Sequence, residues 1–248
     1  MGKTFEALEK AEKEFLRRKY STAVQASEKY WLGSRGKAAA PVLSNGWQAL
    51  ENKLFSRNGQ PPVRTILVTG TSHGVGVSST VVKFAQALAG ANRRKVLVVD
   101  ANLQKPGLHL KFNLRPQNGV SDLLADNGTH VVNFKKTGNR GMYVFTSGRK
   151  YAEGKCNFNS RRFETFIKFA SEKFDYTILD SAPITGFSAS QSICSRVDGT
   201  LLVVEAGKTR RQVALRAKKE LEVAGGRLLG VILNKRKYYI PHWIYRRL

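Results

Sequence analysis

A glycine-rich loop and two aspartates mark where this 248-residue chain could handle phosphate. The loop, VTGTSHGVGVSSTVV (68–82), runs from an apolar stretch, Thr65-Ile66-Leu67-Val68, into a helical pattern. It approaches the pattern G-x-x-x-x-G-K-[ST], whose backbone N–H groups cradle phosphate oxygens while its lysine balances their charge. Gly76 and Ser78 hold the closing glycine and serine places, with Gly74 and Ser79 beside them, but Val77 stands where the lysine should be. Asp100 ends the apolar run Val96–Val99, and Asp180 ends Tyr176–Leu179. Nucleotide chemistry needs a metal, and the metal needs hard oxygen ligands near the phosphates. Asp100, Asp180 and the Ser78 hydroxyl are candidates for that work. Each aspartate alone also suits the cap of a following helix or turn; the set together points to a nucleotide pocket, present or ancestral.

These residues need strands to carry them. Six apolar runs lie at Thr65–Val68, Val96–Val99, Met142–Phe145, Tyr176–Leu179, Thr200–Val204 and Leu228–Leu233. Helical periodicity falls between them at Ser79–Ala89, Arg161–Lys173 and Arg210–Ala224. Short strands without polar alternation, separated by amphipathic helices, predict an α/β fold with a mostly parallel sheet between helices. In such folds ligands bind beyond the carboxyl ends of the strands, where the loop and both aspartates stand. Leu233-Asn234-Lys235-Arg236 closes the last run. Upstream, Phe5, Leu8, Ala11, Phe15 and Leu16 are spaced as one face of a helix, a second short helical pattern covers Trp47–Phe55, and SRNGQPP (56–62) reads as a linker. The expected organisation is a helical extension and linker over 1–62, a phosphate-loop domain over 63–234 and a basic aromatic tail over 235–248.

Forty-two lysines and arginines against 18 acidic residues give a formal charge of +24. That imbalance calls for an anionic partner: a phospholipid surface, nucleic acid or an acidic protein. Residues 149–205 are nearly balanced at eight basic to seven acidic, whereas 208–248 carry twelve basic to two acidic. No apolar stretch reaches the ~18–20 residues that span a bilayer. Glu6, Glu9, Glu12 and Glu14 interrupt any signal-peptide layout, and Cys156 and Cys194 have no metal-ligand spacing, so both read as reduced core thiols.

The motif series resembles the bacterial tyrosine kinase (BY-kinase) domain of capsular and exopolysaccharide co-polymerases, within the MinD/ParA-like group of P-loop NTPases. The likeness is carried by the loop at 74–79, by VLVVDANLQKPGLHLKF (96–112) in the place of the Walker A′ motif, and by FDYTILDSAPI (174–184) as Walker B. GVSDLLAD (119–126), VDGTLLVVEAGKTRRQ (197–212) and LLGVILNKRKYYIP (228–241) extend it over about residues 46–248. The resemblance implies ATP or ADP with magnesium as cofactor. Gly74, Gly76, Ser78 and Ser79 would hold phosphates, Ser78, Asp100 and Asp180 the metal, and Asn234 the adenine. It also implies a cytoplasmic protein at the inner face of the membrane, working with a membrane-embedded chain-length regulator and with copies of itself.

The departures fall on the chemistry. Besides Val77, Asn102 replaces the second aspartate of the Walker A′ motif, Gln104 its arginine, and Lys83 an asparagine of the loop helix. GWQALENK (46–53) lacks the glutamate-and-two-arginines pattern associated with ring packing, and GFSASQSI (186–193) lacks an aspartate. Losing one cationic or hydrogen-bonding stabiliser typically slows an enzyme by ~100- to 1,000-fold. Lys83 sits two turns into the helix and Lys105 is a solvated position, so neither is expected to take over. In the tail, Lys235, Arg236, Lys237, Arg246 and Arg247 flank Tyr238, Tyr239, Trp243 and Tyr245. That mixture suits docking on an anionic membrane surface or a partner; packing onto the domain and phosphoacceptor use are the alternatives. Three functions follow. The first is a degenerate BY-kinase-like regulator or scaffold in exopolysaccharide or capsule biosynthesis. The second is an active autokinase or ATPase with an altered loop. The third is a ParA-like DNA-binding positioning ATPase, against which the polysaccharide-branch motif at 228–241 weighs.

Overall fold

The computed structural model describes residues 62–90, 94–125, 132–149 and 156–236. The predicted helices at 4–19 and 47–55 lie outside these residues, as do Lys237, Tyr238, Tyr239, Trp243, Tyr245, Arg246 and Arg247 of the tail.

Seven strands form one sheet: β1 (Thr65–Gly70), β2 (Val96–Asp100), β3 (Lys135–Lys136), β4 (Met142–Phe145), β5 (Tyr176–Asp180), β6 (Gly199–Glu205) and β7 (Leu228–Asn234). Their order is β3-β4-β2-β5-β1-β6-β7. Every pairing is parallel except β3 with β4. The helices are α1 (Val77–Gly90), α2 (Leu108–Lys111), α3 (Val120–Leu124), α4 (Arg161–Lys173), α5 (Ser188–Cys194) and α6 (Arg211–Val223).

Alternation along the strands builds two cores, because successive side chains point to opposite faces of a sheet. Ile66, Val68, Val96, Val98, Ile178, Leu201 and Val203 face α1, which buries Val81, Phe84, Ala85 and Leu88 against them. Leu67, Leu97, Val99, Leu179, Leu202 and Val204 face the other layer, where α4 contributes Phe163, Phe166 and Phe169. Phe134 organises that side: its ring stacks on Phe169 at 6.1 Å and meets Phe145 and Phe174 edge-on at 5.5 and 5.4 Å. The Ser160 hydroxyl caps α4 by accepting from the Phe163 N–H. Cys194 is buried in this core and Cys156 half-buried beside it, both as free thiols.

The sheet's directionality positions the site. β1, β2, β5 and β6 all run the same way, so the loop after β1, Asp100 and Asp180 emerge along a single edge. β2 and β5 are in register with Asp100 directly beside Asp180.

Candidate functional site

The loop between β1 and α1 keeps the backbone of a phosphate cradle. Gly74 and Gly76 adopt φ of +81° and +96°, left-handed values that residues with a Cβ rarely take. Helix α1 then starts at once, with the Thr80 N–H donating to the Gly76 carbonyl at 3.0 Å. Ser78 and Ser79 therefore stand in the first turn of a 14-residue helix, whose unpaired N–H groups and dipole favour an anion.

The end of β7 holds this loop in place. Asn234 Nδ2 donates to the Val75 carbonyl at 2.8 Å, and Lys235 Nζ donates to the Gly74 carbonyl at 2.7 Å. Lys235 has a φ of +56°, and its ammonium also pairs with Glu205 at 3.1 Å. From the other side Thr185 donates to the Thr71 carbonyl at 2.9 Å, and the His73 ring meets Phe187 edge-on at 5.1 Å. A Cβ at Gly76 would collide with Asn234 Nδ2. Gly76→Ala is therefore expected to combine left-handed strain with a displaced clamp, costing about 1–3 kcal/mol. Denaturant unfolding of the purified variant measures it.

Val77 is half-buried and packs against the core under the loop. Its Cγ2 lies so near Gly70 that a Cβ there would sit 2.9 Å away. The lysine position is thus occupied by an apolar anchor. Of the two cations weighed as substitutes, Lys83 is exposed on α1 and Lys105 is exposed beyond β2. Asn102, at the Walker A′ carboxylate position, accepts from the Lys105 N–H at 3.2 Å and so closes the turn after β2.

The two aspartates are fully buried. Asp100 Oδ2 accepts the Leu108 N–H at 3.1 Å, tying the start of α2 to the end of β2. Among the described residues Asp100 Oδ1 and both oxygens of Asp180 have no hydrogen-bond partner. Buried polar atoms are nearly always paired, so three unpaired carboxylate oxygens side by side suit a ligand that supplies positive charge. Burial pushes Asp100 up to about 7, against the opposing pull of the Leu108, Gly107 and Asn102 N–H groups. Burial pushes Asp180 up to about 8, helped by the neighbouring charge of Asp100 and opposed by the Ser78 hydroxyl and the Lys111 ammonium. The Ser78 hydroxyl acts on Asp180 without closing a hydrogen bond of normal geometry. Two carboxylates with a serine hydroxyl nearby are hard-oxygen groups of the kind that magnesium takes.

The structure thus brings Gly74, Gly76 and Asn234 into one contact cluster and Asp100 and Asp180 into another, with the Ser78 hydroxyl close enough to Asp180 to lower its pKa. Lys235 belongs to the loop clamp, and Arg236 is exposed beyond it. Sequence reasoning missed Lys111, which ends α2 and donates from Nζ to Ser79 Oγ at 3.0 Å. A separate groove of about 740 Å³ lies between α5 and α6, lined by Gln191, Arg196, Arg216 and Glu220 among others; it contains none of the predicted site residues.

The sheet order and the loop define a P-loop NTPase fold of the MinD-like type. MinD of Pyrococcus horikoshii, solved with Mg-ADP, superimposes with a TM-score of 0.60 at 22% identity, covering 74% of this chain and 76% of that one. Within that class the homologues of the chain are bacterial tyrosine-protein kinases. It is 26% identical over 194 residues to the putative tyrosine-protein kinase CapB of Staphylococcus aureus, covering 78% of this chain and 85% of the relative. It is 28% identical over 175 residues to the tyrosine-protein kinase YwqD of Bacillus subtilis, covering 71% and 73%. The chimerical protein CapA2B2 superimposes with a TM-score of 0.73 at 25% identity, covering 82% of this chain and 88% of that one. No protein-family model matches the chain. Among the described residues no helix is long and apolar enough to cross a membrane.

Proposed function

We propose that the chain is a nucleotide-binding regulatory or scaffolding partner in capsule or exopolysaccharide assembly, with weak or no kinase activity of its own. One observation carries this reading: the glycine cradle and the Asp100–Asp180 pair are intact, while the lysine position is filled by Val77 packed into the core. In this reading Gly74, Gly76, Ser78 and Ser79 hold the phosphates of ATP or ADP. Ser78, Asp100 and Asp180 hold magnesium, which when bound neutralises phosphate charge. Asn234 lies beside the loop on the side proposed for the base. The bound protein then engages a membrane-embedded chain-length regulator from the cytoplasmic side, through its basic surface and the tail from Arg236 onward; Lys235 is held in the loop clamp. Homo-oligomers are part of the same proposal.

A second reading, an active tyrosine autokinase, is favoured by the retained Asp100–Asp180 pair, although Asn102 takes one carboxylate from the site. Gene deletion in the native host, followed by complementation, separates the two. The first reading predicts that secreted polysaccharide falls or shortens on deletion. Wild type restores it without acquiring phosphotyrosine, and Asp180→Asn does not restore it. Unchanged polymer on deletion would reject both readings, and phosphotyrosine on the restoring wild type would favour the second.

A further inference from the structure

We propose that Lys111 supplies the cation that the loop lacks, reaching the nucleotide's phosphates from helix α2. This inference rests on the nucleotide-pocket reading above. Its geometry is that of a substitute arm. Lys111 Nζ lies 3.0 Å from Ser79 Oγ, in the first turn of α1, where the phosphate-facing N–H groups are. A Cβ at Gly107, which precedes α2, would lie 3.9 Å from Ser78 Oγ, so the start of α2 adjoins the same turn.

The arm has a fixed base. Asp100 Oδ2 holds the Leu108 N–H, and the Leu108 side chain is fully buried in the core under the loop. The Phe112 N–H donates to the Leu108 carbonyl at 3.1 Å, completing the single turn that aims Lys111 back at α1. Lys235 is not equivalent: its ammonium is already shared between the Gly74 carbonyl and Glu205, so it clamps the loop.

An ammonium on a phosphate oxygen forms a charge-assisted hydrogen bond, the stronger kind. Removing it is expected to weaken nucleotide binding about tenfold. The test is equilibrium dialysis of labelled ATP and ADP with magnesium against the full chain, for wild type, Lys111→Met, Lys111→Arg and Lys111→Met with Val77→Lys. Lys111 is exposed, so thermal melting of Lys111→Met should match wild type. Expected are a tenfold weaker Kd for Lys111→Met, near-wild-type binding for Lys111→Arg, and recovery when Val77→Lys returns a cation to the loop. Unchanged binding by Lys111→Met, or a loss that Val77→Lys does not repair, overturns the role of Lys111 while leaving the pocket intact. No binding by wild type overturns the pocket reading and this inference with it.

Discussion

Val77→Lys is expected to raise magnesium-dependent phosphate transfer from ATP by about 100- to 1,000-fold over wild type. Phosphoryl transfer relies almost wholly on positioning and on stabilising charge that develops at the phosphate oxygens. Lys111, on our reading, contributes to holding the ground state from the side, but it is anchored on a separate helix. A lysine at 77 would instead rise from the loop itself, next to the glycine N–H groups. The substitution removes the contact of Val77 with Gly70, which costs part of an apolar anchor, so the variant should be slightly less stable and far more active. Single-turnover transfer of labelled phosphate to water or to tyrosine reads it. Equal rates for variant and wild type would mean that the loop cation is not what limits this chain.

The second large effect concerns pH. Burial raises the Asp100 carboxyl to about 7 and that of Asp180 to about 8 in the folded protein, against 3.8 for an ordinary aspartate. A carboxyl raised in this way gives stability that is fully present below about 3.8 and is lost as pH rises through 7–8, because the unfolded chain releases its protons first. Metal-free protein should therefore be less stable at pH 8.5 than at pH 5. Asp180→Asn removes the larger of the two burdens. After discounting for relaxation and water entry, we expect it to stabilise metal-free protein by ~2 kcal/mol at pH 8.5, with little change at pH 5. That corresponds to a rise in Tm of about 4–8 °C. Thermal melts at the two pH values in a chelator measure it. Magnesium with nucleotide should reverse the ranking, stabilising wild type and leaving the variant unmoved.

How much of this was legible in the sequence depended on how local the cause was. The strands that form the core announced themselves as unbroken apolar runs, and α4 was bounded at Arg161 and Lys173 by periodicity alone. β3 was not, because Lys135 and Lys136 have no apolar signal and pair only through β4. The helix α5, Ser188–Cys194, is built of small polar residues around Ile193 and Cys194, too few apolar positions to show a face. The four-residue helix α2 owes its place to Asp100 accepting the Leu108 N–H, a contact across eight positions that no periodicity encodes.

The site divides in the same way. The common edge of the glycines, serines and strand-end aspartates was legible because each follows an apolar run, and parallel topology brings such positions together. Lys111 could not be found so: it lies 32 positions from Ser79, on a helix that was itself invisible. Lys83 and Lys105 lie on the loop helix and in the adjacent motif, the places where sequence proximity suggests a replacement cation. The fold delivers one from the following turn instead.

In the proposed function, magnesium–nucleotide binding survives the loss of the loop lysine. Calorimetric titration of MgATP and MgADP into the wild-type protein, repeated in chelator, tests it directly. Saturable binding of one nucleotide per chain, weakened when magnesium is removed, is expected. Absence of binding at millimolar nucleotide, with or without magnesium, would contradict it and would leave the pocket a relic of the fold.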